Sequence, residues 1–205
     1  METEGVIKFD LAFTRQRHGH ADVSQLAIWR RLLMDKGLLG QSPERYGGLG
    51  FGNLSMRTQA GFLISGSQTG HLVDVSAEDF AEVTAWNIER NTLSAIGMIE
   101  PSSESLTHAA VYDLGPAFSH VFHVHSPSIW QHADALDLTR TRASVAYGTP
   151  AMAREVARVA QGQSLPLVLV MAGHQDGVVA AGRQAGSTGR ALLRLLSRAS
   201  ALSKS

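Results

Sequence analysis

The sequence predicts an α/β domain in which a mixed, largely antiparallel sheet is covered by helices. Segments of period two are interleaved with segments of period 3.6 along the whole chain. Glycine, asparagine and aspartate turns repeatedly join neighbouring apolar runs, as hairpins do. The 205 residues contain no Pro/Ser-rich linker or low-complexity tract, so one domain over 1–205 is expected. Apolar residues make up 44% and charged residues 18%, enough of the former to build a sizeable core.

Taken in order, "DVSQLAIWRRLLMDKGLLG" places Leu26, Trp29, Leu32 and Leu33 on one helical face and stops at Gly37 and Gly40. "FGNLSMRT" and "GFLISGS" alternate around Gly61 as an antiparallel pair, and "SAED" starts a short helical turn. "FAEVTAWNIERNTLSAIGMIE" gives two strands around a polar turn at 87–91. "SSESLTHAAVYDLG" reads as a helix with Leu106, Ala109, Ala110 and Tyr112 inward, closed by Gly115-Pro116. "FSHVFHVH" is a strand, and Pro127 opens the helix that follows it. Thr149 caps a further helix with Pro150 in its first turn. "LPLVLVMAG" and "GVVAAG" are strands joined by "HQDG". The chain closes in a helix with Arg190, Arg194 and Arg198 opposite Leu192, Leu195 and Leu196.

Composition narrows the partners. With 18 basic and 18 acidic side chains the formal charge is zero, and the arginines of the last helix form a solvated face, not a nucleic-acid arm. No cysteine is present, which excludes disulfides and thiolate chemistry and fits a reducing compartment. "METEGVIKFD" lacks the basic and apolar regions of a signal peptide, and "LPLVLVMAG" is too short to span a membrane. A cytoplasmic protein with no membrane partner is expected.

Four short stretches carry possible chemistry. His123 and His125 in "HVHS" project from the same strand face, about 7 Å apart, with Val121. They are either polar residues near a strand end or two arms of a metal site, since imidazoles bind zinc at about 2.0–2.1 Å. In "PSSES", Ser102 or Ser103 can cap the following helix with Glu104 in its first turn. The same helix N-terminus also suits a phosphate or carboxylate, with Glu104 as a base; His108, one turn on along the same face, is expected to hydrogen-bond to Glu104. His174 is a polar residue at a strand end, and Asp176-Gly177 is a hairpin turn signal. "GFGN" and "ISGSQTG" are glycine-rich bends in which Asn53, Thr69 and exposed amides can hold an anion.

The order of these pieces is distinctive: "GNLSMR", a "GFLIS…TG" strand and loop, "PSSE" with a following His and "VY", then H-x-H, then a histidine ahead of "VVAAG". This order resembles the class II aldolase/adducin family over nearly the whole chain. The resemblance implies a three-layer α/β/α sandwich, assembled as a homotetramer with active sites at subunit interfaces. It implies that His123, His125 and His174 bind a divalent metal, most simply Zn²⁺ with Mn²⁺ or another divalent ion as alternatives. Glu104 then matches the acid/base carboxylate, and Asn53, Ser102, Ser103 and the Thr69-Gly70 amides match an anion cradle for a small-molecule substrate. The implied reaction is carbon–carbon cleavage of a hydroxy-ketone, sugar-phosphate-like compound or oxo-acid through a metal-stabilised enediolate. Decarboxylation, dehydration and epimerisation share that intermediate, and an adducin-like structural domain is the non-catalytic alternative.

Three departures from the family pattern stand out. "HQDG" inserts Gln175 and Asp176 where the family has His-Gly, which makes Asp176 a competing oxygen ligand. An Asp-Gly turn normally bonds its own backbone and faces solvent, so His174 is the expected third ligand. The loop reads "SGSQTG", longer than the sugar-phosphate aldolases carry. The stretch between His125 and "YGTPAMAREV" lacks the segment bearing the family's proton-donating tyrosine, and Tyr147 lies nearby without an assigned role.

Overall fold

The computed structural model describes residues 6–19 and 22–203. The N-terminal half contains β1 (Asp10–Arg15), α1 (Ser24–Met34), β2 (Gly40–Gln41), β3 (Gly50–Phe51), β4 (Asn53–Arg57), β5 (Phe62–Ser65), β6 (Phe80–Asn87) and β7 (Thr92–Gly97). There follow α2 (Ser105–Tyr112), β8 (His120–His125), α3 (Pro127–Gln131), β9 (Thr139–Arg140), α4 (Pro150–Ala160), β10 (Leu167–Val170), β11 (Gly177–Gly182) and α5 (Ala185–Leu202).

Nine strands form one sheet in the order β1-β7-β6-β5-β4-β8-β11-β10-β9, and β2 and β3 make a separate small ribbon. Every pairing from β7 to β10 is antiparallel, and only the edge strands β1 and β9 add in parallel. The expected hairpins β4–β5, β6–β7 and β10–β11 all form. Alternation along each strand divides the core in two. Val121, Phe62 and Val179 join α2 and α4 on one face, whereas Phe122, Leu54 and Val178 join α1, α3 and α5 on the other. The result is the three-layer α/β/α sandwich.

Local chemistry fixes the helix ends. Thr149 Oγ1 accepts from the Met152 amide at 3.2 Å and Ser126 Oγ from the Ile129 amide at 3.3 Å, each ahead of a proline at the first turn. Helix α1 ends in a Schellman motif: the Leu38 amide donates to Leu33 O at 3.0 Å and Gly37, at φ +66°, donates to Met34 O at 2.8 Å. The chain is thereby turned back toward the end of β8.

One expectation about burial needs correction. Leu32 is 40% exposed, and the buried face of α1 is completed by Arg30 instead. Arg30 donates to the main-chain carbonyls of Thr69 and Leu72, so the apolar pattern is broken by a residue that ties down a loop. On α2 the four residues expected inward are buried, and the other four are buried with them, because the helix lies between the sheet and α4. Among the described residues no helix is long and apolar enough to cross a membrane.

Candidate metal centre

The register of β8 places the two histidines of H-x-H. His123 stands between Asn53 on β4 and Val179 on β11, and His125 lies opposite Gly177. Both side chains leave the sheet on the α2/α4 face and are 1% exposed. His174 comes from the turn between β10 and β11, where its amide donates to Met171 O at 3.0 Å and its carbonyl accepts from the Gly177 amide at 2.9 Å. A Cβ on Gly173 would sit 1.8 Å from Val145 O, so only glycine lets the 141–147 segment press against this turn.

The three rings converge. One ligand atom from each of His123, His125 and His174 lies within 4.8 Å of the others. Two nitrogens at about 2.0–2.1 Å from one tetrahedral ion lie about 3.3 Å apart. The His123 and His125 Nε2 atoms are 3.2 Å apart, which matches. His123 Nδ1 is 3.3 Å from Val178 O. A carbonyl can only accept, so Nδ1 carries the proton and Nε2 keeps its lone pair for the centre. Burial pushes the basicity of His123 and His125 well below the ordinary imidazole range, and the neighbouring histidines push it further. Neutral imidazoles are the form that binds a cation, so the donor set fits a divalent metal.

A second group of side chains borders the same space. Asn53, Thr69, Gly70, Ser102, Ser103, Glu104 and His123 line one small cavity. Glu104 occupies the N-cap position of α2, is 4% exposed, and accepts from Thr107 Oγ1 through Oε2 at 2.9 Å. Its amide donates to Ser102 Oγ at 3.3 Å, but α2 starts at Ser105 with Glu104 at the N-cap and no side chain capping it, so the expected serine cap with Glu104 in the first turn does not form. Asn53 Oδ1 is enclosed with no hydrogen-bond partner. Thr69 commits its hydroxyl to Gly66 O at 2.9 Å. Gly70 packs on the β2–β3 ribbon, where a Cβ would lie 2.5 Å from Gly40 O.

Comparison with known proteins gives the family and the fold. The family model of the class II aldolase and adducin N-terminal domain matches residues 44–196. The chain belongs to the class II aldolase and adducin family. No curated protein matches the sequence significantly. Among solved structures, L-fuculose-1-phosphate aldolase from Thermus thermophilus superposes with a TM-score of 0.65 at 20% identity, covering 87% of this chain and 91% of that one. A sugar-phosphate aldolase from Thermotoga maritima gives 0.63 at 14% identity, covering 88% and 92%. The N-terminal class II aldolase domain of a conserved protein from Thermoplasma acidophilum gives 0.60 at 16%, covering 91% and 96%. At these identities the likeness establishes the fold.

Several neighbours of the three-histidine cluster have no local signal in the sequence. Tyr46 meets the His125 ring edge-on with centroids 4.6 Å apart, and Phe51 lies 5.6 Å from the same ring. Tyr147 stacks on His174 at 4.1 Å and 11°, and Lys8 Nζ sits 4.4 Å from the Tyr147 ring. These contacts join residues far apart in the chain, which periodicity cannot register. Two expectations fail here. Asp176 does not face solvent: it is 7% exposed, lies outside the three-histidine group, and accepts the Tyr46 hydroxyl at 2.7 Å. His108 is not paired with the Glu104 carboxylate. Its Nδ1 lies 2.7 Å from Ser55 Oγ, which is also 2.6 Å from the Tyr112 hydroxyl, in a fully enclosed network.

His108 supplies a pH test. Burial lowers its pKa to about 3, against about 6.5 when unfolded. Between those values the unfolded chain holds a proton that the folded chain does not, so stability falls as pH falls. From about pH 7 to about pH 5, above most carboxylate titration, His108 alone is expected to cost about 2 kcal/mol. Urea midpoints of the metal-free protein at the two pH values measure this loss, which should shrink in His108→Gln. An equal loss in both proteins removes His108 from the acid response.

Proposed function

We propose that this protein is a divalent-metal-dependent lyase of the class II aldolase type. It would cleave a carbon–carbon bond in a small hydroxy-ketone, sugar-phosphate-like compound or oxo-acid. The observation that carries the proposal is the meeting of three buried imidazoles, one of which, His123, lines a cavity together with the Glu104 carboxylate. His123, His125 and His174 are the residues to hold the ion, with zinc the first candidate for a set of neutral nitrogens. Bound there, the ion would draw electron density from a substrate carbonyl or hydroxyl oxygen and so favour loss of an adjacent bond or proton.

The chain's own groups divide the remaining work. Asn53, Ser102, Ser103 and the Thr69-Gly70 amides receive the anionic end of the substrate at the entrance to α2, where the helix dipole favours negative charge. This orients the reacting carbons toward the histidines. Glu104, fixed through Oε2 by Thr107, takes the proton from the hydroxyl whose carbon departs as a carbonyl. It then returns a proton to the carbon left behind. Decarboxylation, dehydration and epimerisation use the same groups on other substrates. An adducin-like scaffold is disfavoured, because assembly alone gives no reason to bury three imidazoles together with a carboxylate beside one of them. A cytoplasmic homotetramer completes the proposal, on the ground of family membership.

Glu104→Gln is expected to keep the fold and the bound ion but lower turnover by about 10²–10⁴-fold, because the amide matches the carboxylate in size and cannot carry a proton. The assay is a panel of phosphorylated and unphosphorylated hydroxy-ketones and oxo-acids with wild type and variant. Activity within about threefold of wild type takes Glu104 out of the mechanism. Light scattering at micromolar concentration should show four chains per particle, and a stable single chain contradicts the assembly.

A further inference from the structure

Asp176 belongs to the two-residue insertion that separates His174 from Gly177, and its bonds give that insertion a task. Its main-chain carbonyl accepts from the Ser126 amide at 2.8 Å, immediately after His125 in the chain. Its Oδ2 accepts from the Tyr46 hydroxyl at 2.7 Å, and the Tyr46 ring lies edge-on against the His125 ring. One residue, two positions beyond His174, is therefore bonded to both sides of His125.

The far side of Tyr46 is also held. Arg45 Nη2 donates to the Tyr46 oxygen at 2.9 Å and Nη1 donates to Gly37 O at 2.7 Å. The guanidinium rests 4.3 Å from the centre of the Phe51 ring, which borders His125 in turn. Tyr46 and Asp176 both have left-handed backbone, at φ +50° and +62°, a region that non-glycine residues enter at a cost and keep when their surroundings hold them. Two such residues meeting through a short hydrogen bond mark a contact that the surrounding structure enforces.

We infer that the Tyr46–Asp176 hydrogen bond is a latch that holds His125 and His174 at metal-binding separation before any ion arrives. The inference rests on the three-histidine reading above. Tyr46 and Asp176 act through the ligands and are positioning residues, not ligands. The latch opposes the scatter of ring orientations that three imidazoles from a strand and a turn would otherwise have. Groups that orient metal-binding histidines from outside typically change metal affinity by about 10–100-fold when removed.

The test is a titration of metal-free protein with Co²⁺, read by its visible absorption against a competing chelator. Tyr46→Phe and Asp176→Ala should each raise the Co²⁺ dissociation constant by about 10–100-fold. The double variant should lose no more than the worse single one, since both remove one bond. Asp176→Asn, whose amide oxygen still accepts a hydrogen bond, should stay close to wild type. A purely structural role would lower the melting temperature of the metal-free variants and leave their Co²⁺ affinity unchanged. Single variants within about twofold of wild type, or additive losses in the double variant, overturn the latch while leaving the three-histidine centre standing. Failure of wild type to bind Co²⁺ overturns the centre and the latch with it.

Discussion

His123 and His125, enclosed in the protein interior, share a small space with His174 in a setting that disfavours charge on either of them, and the rest of this structure is arranged around that constraint. Burial removes the water that would stabilise imidazolium, and each ring would repel a charge on the next. The sheet supplies the enclosure. β8 lies between β4 and β11, so the strand carrying His123 and His125 is covered by neighbours on both sides. The other face of that strand, through Phe122 and Val124, is sealed by the α1/α3/α5 layer. A cluster of lone pairs in such a setting could hold a cation.

Much of the fold was legible because it rests on local patterns. The period of two in "FSHVFHVH" assigned His123, His125 and Val121 to one face, and the two halves of the core confirm that division. Ser126, Thr149 and the prolines after them marked two helix starts by chemistry that needs no tertiary context. Leu32 misled because an apolar side chain on a helix is not forced inward when a buried arginine takes the inward position. Helix α2 carries no clean polar face to read, since α4 covers the side that would otherwise meet solvent.

The candidate site divides along the same line. Glu104, His123, His125 and His174 stood out through a motif order that spans much of the chain, and the structure brings the histidines together and sets Glu104 beside His123. Tyr46 and Phe51 did not stand out, and Tyr147 carried no assigned role, because an aromatic against a histidine ring is defined only once distant segments have packed. Asp176 shows the limit most clearly. Its sequence context, Asp before Gly, describes an exposed turn, yet Tyr46, 130 residues earlier in the chain, draws it inward. The departures from the family pattern thus lie around the three-histidine cluster, while residues matched to that pattern form it.

The account stands on the occupancy of that centre. Elemental analysis of protein purified without added metal measures it directly, on wild type and on His174→Ala. About one equivalent of divalent ion per chain is expected for wild type, and less than about a tenth for the variant, which leaves only two imidazoles. Wild-type protein with less than about a tenth of an equivalent, or a His174→Ala variant that keeps its ion, would contradict the account.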